Sequence, residues 1–434
     1  MGVTVPLLRT ADRGFAKAFA RLRAVRAADA RRAEAAAGAI VADVRRRGDR
    51  ALLEYTKRFD GVALTAAALR VPAEDLRAAA AALPAPVRAA MRLAARRIRA
   101  FHVRQRQTSW RYRDRAGLVL GQQITPLRRV GVYVPGGRAA YPSSVLMNVI
   151  PARVAGVDEV IMVSPAGRDG HAAAVLAAAH LAGASAVYRV GGAQAVAALA
   201  YGTRTIPSVD KIVGPGNAFV QAAKRLVYGQ VDIDSTAGPS EVLVIADATA
   251  NPAYVAADLL AQAEHGSGDE CALLLTPSRR LAAAVQQEIG RQMAVLPRRA
   301  AIAGVLRKRG ALVVVRDLDE AVALAEQVAP EHLELLVRNP APLAKRLRNA
   351  GAIFSGAFTP APLGDYLAGP NHVLPTGGSA RFFSPLGTYH FVKRTSVVSA
   401  SAAALRRLAP AVEVLAELEG YQAHAAAVRI RFER

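Results

Sequence analysis

Apolar and polar positions follow two different rules along this chain. Up to about residue 125 they recur at helical spacing, in alanine- and arginine-rich stretches such as RLRAVRAADARRAEAAA (21–37), interrupted at RRRGDRA and at LPAP (83–86). From Val130 short β-branched runs take over: RVGVYV (129–134), EVIMVS (159–164), AVYRV (186–190) and DKIVG (210–214). Helical stretches separate them, VLMNVIPARVAG, AAAVLAAAHLAG and AQAVAALAYG. After a turn at STAGPS the pattern restarts with EVLVIAD (241–247), CALLLTP, ALVVVRD (311–317), HLELLV (332–337) and AGAIFSG (351–357). A turn-rich segment, 356–390, follows, and the last forty or so residues return to helix. Strands that are apolar throughout, alternating with helices, predict parallel sheets covered on both faces. Two such runs with a break near residue 235 predict an α/β protein of two doubly wound units.

In sheets of this kind ligands sit beyond the carboxyl ends of the strands. Three glycine-rich turns fall there: GVYVPGGRAAYPSS after the first strand, VGGAQA after the third and VGPGNAF after the fourth. Such turns let the backbone approach a ligand and present helix N-termini to anionic groups. None is a GxGxxG. Each turn alone also reads as a tight connection. Together they point to a phosphate-bearing cofactor without specifying a dinucleotide.

The 434 residues are 52% hydrophobic, enough for two or three packed cores. The lone cysteine, Cys271, excludes a disulfide framework and a cysteine-rich metal site, and its apolar setting in CALLLTPS reads as a small buried hydrophobe. The N-terminal MGVTVPLLRTADRGF is not a secretion signal, and no apolar run reaches the length of a membrane span. A cytoplasmic protein without membrane contact is expected. The net charge of +23 draws anions, and FHVRQRQTSWRYRDR (101–115) mixes arginines with Phe101, Trp110 and Tyr112 as nucleic-acid surfaces do. The other arginines are spread along helices and no nucleic-acid-binding motif is legible, so solvated faces and no nucleic-acid partner are expected.

Five polar groups interrupt these apolar surroundings. LLAQAEHGSGDE (259–270) ends a helix on Gln262 and His265, which share one face at a spacing of i,i+3. They read either as an ordinary helix end, with His265 in the last turn and Gly266 at C′, or as two ligands of one object. APEHLEL sets Glu331 beside His332 as a strand begins, straight after Pro330 ends a helix. LGDYLAGPNHVLPTGG holds Asp365 and His372 in a loop too rich in Gly and Pro to be helical. In ELEGYQAH, Gly420 allows Glu419 to sit outside the helix that carries His424. STAGPSE places Ser240 on the turn joining the two units. Each also has a mundane reading as a cap, an Asx-turn or a surface carboxylate.

Taken in order, GVYVPGGRAAYPSSVLMN, VGGAQAVAALAYGT, KIVGPGNAFV, AGPSEVLVIAD, AQAEHG, APEHLEL, LGDYLAGPNHVLPTGG and FVKRTSV followed by EGYQAH resemble the L-histidinol dehydrogenases, over about residues 40 to 430. The resemblance implies a zinc-dependent homodimer that oxidises L-histidinol to L-histidine with two NAD in succession, in the last step of histidine biosynthesis. It implies Gln262, His265, Asp365 and His424 as zinc ligands, with His424 crossing from the partner, and Glu331 with His332 as the acid–base pair. Ser240, His372 and a partner-derived Glu419 match substrate-contacting positions; the zinc ligands and His332 also face the substrate. Tyr133, Gln194 and Asn217, one on each glycine-rich turn, match the positions that hold NAD.

The same resemblance implies two incomplete Rossmann-like units in an intertwined homodimer. Residues 1–30 are a helical extension, 31–128 with 238–380 a first α/β domain carrying most site residues, 129–237 a second carrying NAD, and 381–434 a helical segment reaching the partner. Ser235 and Thr236 in STAGPSE are peripheral departures from the family pattern, and His102, His171, His180 and His390 read as structural or surface residues. Three other readings compete: a same-fold dehydrogenase of another small polar alcohol such as a sulfonated diol, a zinc hydrolase using Glu331 and a metal-bound water, and the basic nucleic-acid binder.

Overall fold

The β-branched runs of the two halves form two separate parallel sheets. The computed structural model describes residues 4–23, 27–136, 140–166, 171–236, 238–265 and 268–433, with the backbone alone at residues 23, 27–30, 171 and 172. Five strands, in the spatial order Ala186–Arg189, Glu159–Ser164, Arg129–Tyr133, Lys211–Val213 and Asp232–Ile233, make one sheet. Six strands make the other, in the order Leu7–Arg9, Gly310–Val314, Cys271–Thr276, Glu241–Ala246, His332–Leu336 and Ala352–Ser355. Helices cover both faces of each sheet, which is why the central strands are buried on every side chain.

Helix Ala27–Arg47 shows how the N-terminal pattern is used. Ala33, Ala37, Ile40, Val41 and Val44 line one buried face, packed into the same core as Leu199, Ala223 and Ile212 of the five-stranded sheet and its helices. Val71, Leu76, Ala94 and Ile98 join the core on the sheet's other side. The helices of 33–98, grouped in the sequence reading with 238–380, therefore bury their apolar stripes on the five-stranded sheet. Only the extreme N-terminus serves the six-stranded one, through Val5 and Phe19.

Five short segments read as helical or loop are otherwise. Leu7–Arg9 adds an edge strand, with Leu7 opposite Leu312, and three residues are too few to show a period. Trp110–Arg113 and Val119–Pro126 form a hairpin whose second strand pairs antiparallel with Val392–Ser399 from the expected C-terminal helical segment. WRYR is exposed at all four positions, so no buried alternation marks it, and the pairing partner is distant in sequence. Asp365 lies in a single π-helical turn, Gly364–Ala368, reached through the short helix Ala361–Leu363. Beyond the hairpin sheet, helices Ala402–Leu418 and Gln422–Arg429 pack on each other across Glu419 and Gly420, the latter at φ +79°. No helix among the described residues is long and apolar enough to cross a membrane.

Candidate active site

The six-stranded sheet collects its chemistry at the amino ends of its strands. Ser240 and Glu241 open one central strand and Glu331 and His332 open its neighbour, with His332 in register with Val242. Helix Pro252–Ala263 runs back from the carboxyl edge, so its last turn delivers Gln262 and His265 to the same edge. A helix C-terminus carries partial negative charge and favours a cation there. The chain reaches this edge from the carboxyl edge of the other sheet, through the connection between Asp232–Ile233 and Glu241–Ala246.

His332 is buried, and its Nδ1 donates to the Glu241 carbonyl at 3.1 Å. That bond fixes a proton on Nδ1, so Nε2, shielded from water and without a hydrogen-bond partner, is the atom that gains or loses the ring's second proton. Asp365 Oδ1 stands 3.5 Å from Nε2 and Glu331 Oε2 3.6 Å from Nδ1. Burial opposes charge on the ring, but Glu331, Asp365 and the Glu241 carbonyl outweigh it and raise its pKa to about 9. Glu331 Oε2 accepts from Ser240 Oγ at 2.5 Å and from the Glu241 N–H at 3.0 Å. Burial and the neighbouring Glu331 push Glu241 up to about 7.

Burial would raise the Asp365 carboxyl, yet His332, His372 and His265 together hold it below its ordinary value. His372 Nδ1 donates to the Asp365 carbonyl at 2.8 Å, and its Nε2 lies 3.3 Å from Ser144 Oγ, on the helix that follows the first strand of the other sheet. Burial lowers the His372 pKa and keeps the ring neutral.

At the end of helix Pro252–Ala263 His265 takes the geometry of an ordinary helix end. His265 Nδ1 caps the Gln262 carbonyl at 3.1 Å, which leaves His265 Nε2 free, and the buried Gln262 Nε2 has no partner. Gly266, read as the C′ residue, lies outside the described residues. Glu419 and His424 stand apart. Both are exposed, the His424 ring lies tilted against Tyr421 at 5.0 Å, and no hydrogen bond or ion pair among the described residues ties either to the cluster.

A second site opens at the carboxyl edge of the five-stranded sheet, a cavity of about 1080 Å³ lined by Tyr133, Gln194 and Asn217 among others. Tyr133 is buried, its hydroxyl accepts from the Gly192 N–H at 3.0 Å, and burial raises its pKa to about 12. Both amide atoms of the fully buried Gln194 are without partners, a state that calls for a ligand or water. Asn217 Oδ1 caps helix Ala218–Val227 by accepting from Phe219 N and Val220 N at 3.0 and 3.1 Å, which leaves its amide NH₂ facing outward. Gly214 is held at φ +114°, where an added Cβ would lie 2.2 Å from the Tyr133 carbonyl. Lys224 and Asp234, an ion pair almost wholly buried, grip this glycine: Lys224 Nζ donates to its carbonyl at 3.0 Å and its N–H donates to Asp234 Oδ2 at 2.7 Å.

Several of these groups carried no sequence signal. Glu241, Lys224 and Asp234 sit inside apolar runs or at their ends, and Asp60 reaches the cavity from a helix far upstream. Only tertiary packing gives them neighbours. The histidines expected to be structural behave so where described: His102 Nδ1 bonds the Ile98 carbonyl at 2.8 Å, His390 Nδ1 accepts from Gly387 N at 3.1 Å, and His180 is exposed. The His171 side chain lies outside the described residues. Cys271 is buried, its pKa raised to about 12 by burial and Glu241, so it stays a thiol.

A family model described as histidinol dehydrogenase matches residues 24–432. The chain belongs to the histidinol dehydrogenase family. It is 55% identical to the histidinol dehydrogenase of Syntrophotalea carbinolica over 396 residues, covering 91% of each chain. It is 52% identical to that of Ralstonia nicotianae over 441 residues, covering 100% of this chain and 99% of that one. The crystal structure of histidinol dehydrogenase from Elizabethkingia anophelis superposes with a TM-score of 0.91 at 34% identity, covering 99% of this chain and 98% of that one. As a histidinol dehydrogenase the chain is an NAD-dependent oxidoreductase of histidine biosynthesis, which favours histidinol over the sulfonated diol and an oxidation over a hydrolysis.

Proposed function

We propose that this histidinol dehydrogenase oxidises L-histidinol to histidinal and then to L-histidine, in the cytoplasm, using two NAD in turn and a zinc ion. Gln262, His265 and Asp365 fit such an ion: a buried amide without a partner, an imidazole with one free nitrogen and a depressed carboxylate gather at a helix C-terminus. No three His, Cys, Asp or Glu side chains cluster for a metal among the described residues of one chain. In the proposed homodimer His424 of the partner subunit adds a fourth donor to Gln262, His265 and Asp365. Gln262, His265, Asp365 and the partner's His424 would hold the ion, which would supply an anchor for the imidazole and amine of the substrate without redox change.

The His332 ring carries the reading most directly, because its acceptor nitrogen is buried, unpartnered and flanked by carboxylates that stabilise the charge it gains. Nε2 takes the hydroxyl proton as the carbinol carbon releases hydride to NAD. Glu331, oriented by Ser240, accepts a proton from the water that adds to the aldehyde, and the hydrate gives a second hydride to a fresh NAD with His332 again as base. His372, Ser240 and Glu419 of the partner subunit hold the substrate. Tyr133, Gln194 and Asn217 hold the cofactor in a Rossmann-like unit spanning 129–237, and residues 381–434 reach across to the partner.

The deciding assay counts NADH formed per L-histidinol consumed, with and without a chelator. About two is expected, with activity lost on chelation and restored by zinc. One NADH with accumulating aldehyde removes Glu331 from water activation; full activity in metal-free protein removes the zinc. His265→Ala should purify without bound metal while keeping its fold.

A further inference from the structure

A dinucleotide fold of this kind ordinarily carries an acidic residue for the adenosine ribose at the end of its own second strand. Here that strand ends in Ser164, Pro165 and Ala166, and the next acid in the chain, Asp169, lies outside the described residues. The cavity takes an acid from elsewhere in the chain. Among its described lining residues Asp60 is the sole carboxylate, the last residue of helix Asp49–Asp60, and Arg32, Arg58 and Arg189 line the same space.

Asp60 is built in rather than solvated. Its Oδ2 is shielded from water and has no partner. Burial raises its pKa, opposed by the Gly191 N–H that faces the carboxylate. A desolvated carboxylate oxygen with no donor is an uncompensated cost in the free protein, relieved by a ligand that brings hydroxyl donors.

The position decides which end of the cofactor it meets. Gly191 follows Ala186–Arg189, the edge strand farthest from Asp232–Ile233, and the chain leaves for the catalytic sheet from Ile233. Nicotinamide has to reach His332 and so points toward the Asn217 side, past Lys211–Val213. The adenosine half then lies toward Gly191 and Asp60. We infer that Asp60 binds the adenosine ribose diol of NAD and excludes the 2′-phosphorylated cofactor, with acid supplied by an upstream helix. A carboxylate there accepts from both ribose hydroxyls and repels a phosphate at the 2′ position, a like-charge contact.

The inference rests on the reading that this cavity takes NAD, and the test separates the two. Steady-state constants for NAD, NADP and L-histidinol are measured for the wild type, Asp60→Asn and Gln194→Ala. Asp60→Asn should raise the KM for NAD about tenfold, leave kcat within about twofold and leave the KM for histidinol unchanged. The ratio of kcat/KM for NADP to that for NAD should rise at least about tenfold, which a merely structural role at Gly191 would not produce. Equal effects on both cofactors, or none, while Gln194→Ala still raises the KM for NAD, overturns the role of Asp60 alone. If neither variant moves that KM, the cavity reading falls with it. Should Asp60→Asn not fold, inhibition of the wild type decides: 2′-AMP should compete with NAD at least about tenfold more weakly than AMP, and equal inhibition overturns the inference.

Discussion

At the scale of single residues, position rather than type makes His332 the candidate base. Its Nδ1–H is committed to the Glu241 carbonyl, so the ring cannot turn and Nε2 stays the acceptor. His332→Asn keeps a donor toward that carbonyl and removes the acceptor. Activity should drop about 10²- to 10⁴-fold with near-native melting, measured as NADH formation at saturating NAD; a loss below tenfold would move the base elsewhere. Two residues along the same strand, Glu334 is buried facing the Asp258 carboxyl, with Oε1 accepting from Ala361 N at 3.0 Å. Two carboxyls hydrogen-bond only if one keeps its proton, and burial with Asp258 beside it raises the Glu334 pKa far above 4.5. The folded state then binds more protons than the unfolded state above pH 4.5, so this pair's contribution to stability falls as pH rises. Glu334→Gln keeps both contacts without ionising. Its melting temperature relative to wild type should rise between pH 5 and pH 9, by roughly 2 °C or more; a flat difference would mean the pair holds no proton.

Among the elements, helix Ala218–Val227 carries a cap, Asn217, that is also proposed to hold the cofactor. Asn217 turns its carbonyl oxygen to the helix N-terminus and its NH₂ away. Asn217→Asp preserves the cap acceptor and deletes the donor, so folding stability should hold while the KM for NAD rises about tenfold. Asn217→Ala should raise that KM and also cost about 1 kcal/mol in urea unfolding. Equal stability losses in both variants would show that the NH₂ matters to the fold. The turn before this helix depends on Lys224 and Asp234. Lys224→Met strands a buried carboxylate and should destabilise by about 3–5 kcal/mol by the same unfolding measurement.

For the whole molecule, the exposed C-terminal helices set the question. Val414, Leu415 and Leu418 are 63%, 60% and 81% exposed, an apolar surface on the segment that carries Glu419 and His424. If His424 crosses to a partner, His332→Asn and His424→Asn homodimers should each be nearly inactive. Unfolding, mixing and refolding them should then revive about a quarter of the sites, because one site of each mixed dimer receives both intact residues. No recovery, with mixed dimers demonstrated, would mean that one chain supplies both residues.

Much of this was legible from the chain alone, for a local reason. Runs such as VLVIA and CALLLT are apolar on both faces and β-branched or leucine-rich, so burial in a parallel sheet is their one stable outcome, and EVLVIAD forms the strand Glu241–Ala246. Motifs such as APEHLEL and EGYQAH named Glu331, His332, Glu419 and His424 as candidates because their order is itself the signal. Strand Val392–Ser399 was not legible, since its pairing with Val119–Pro126 depends on a segment far upstream, and WRYR is exposed throughout. Nor was it legible that helices of 33–98 cover the five-stranded sheet, since an apolar stripe does not name the surface it meets. The sequence by itself determined which segments become strands and which polar residues stand out against them. Tertiary structure decided that the carboxyl edge of one sheet hands the chain to the amino edge of the other. That arrangement puts the Tyr133–Gln194–Asn217 cavity and the buried His332 ring at the two ends of one connection, because burial, hydrogen-bond partners and electric fields arise only when distant segments pack.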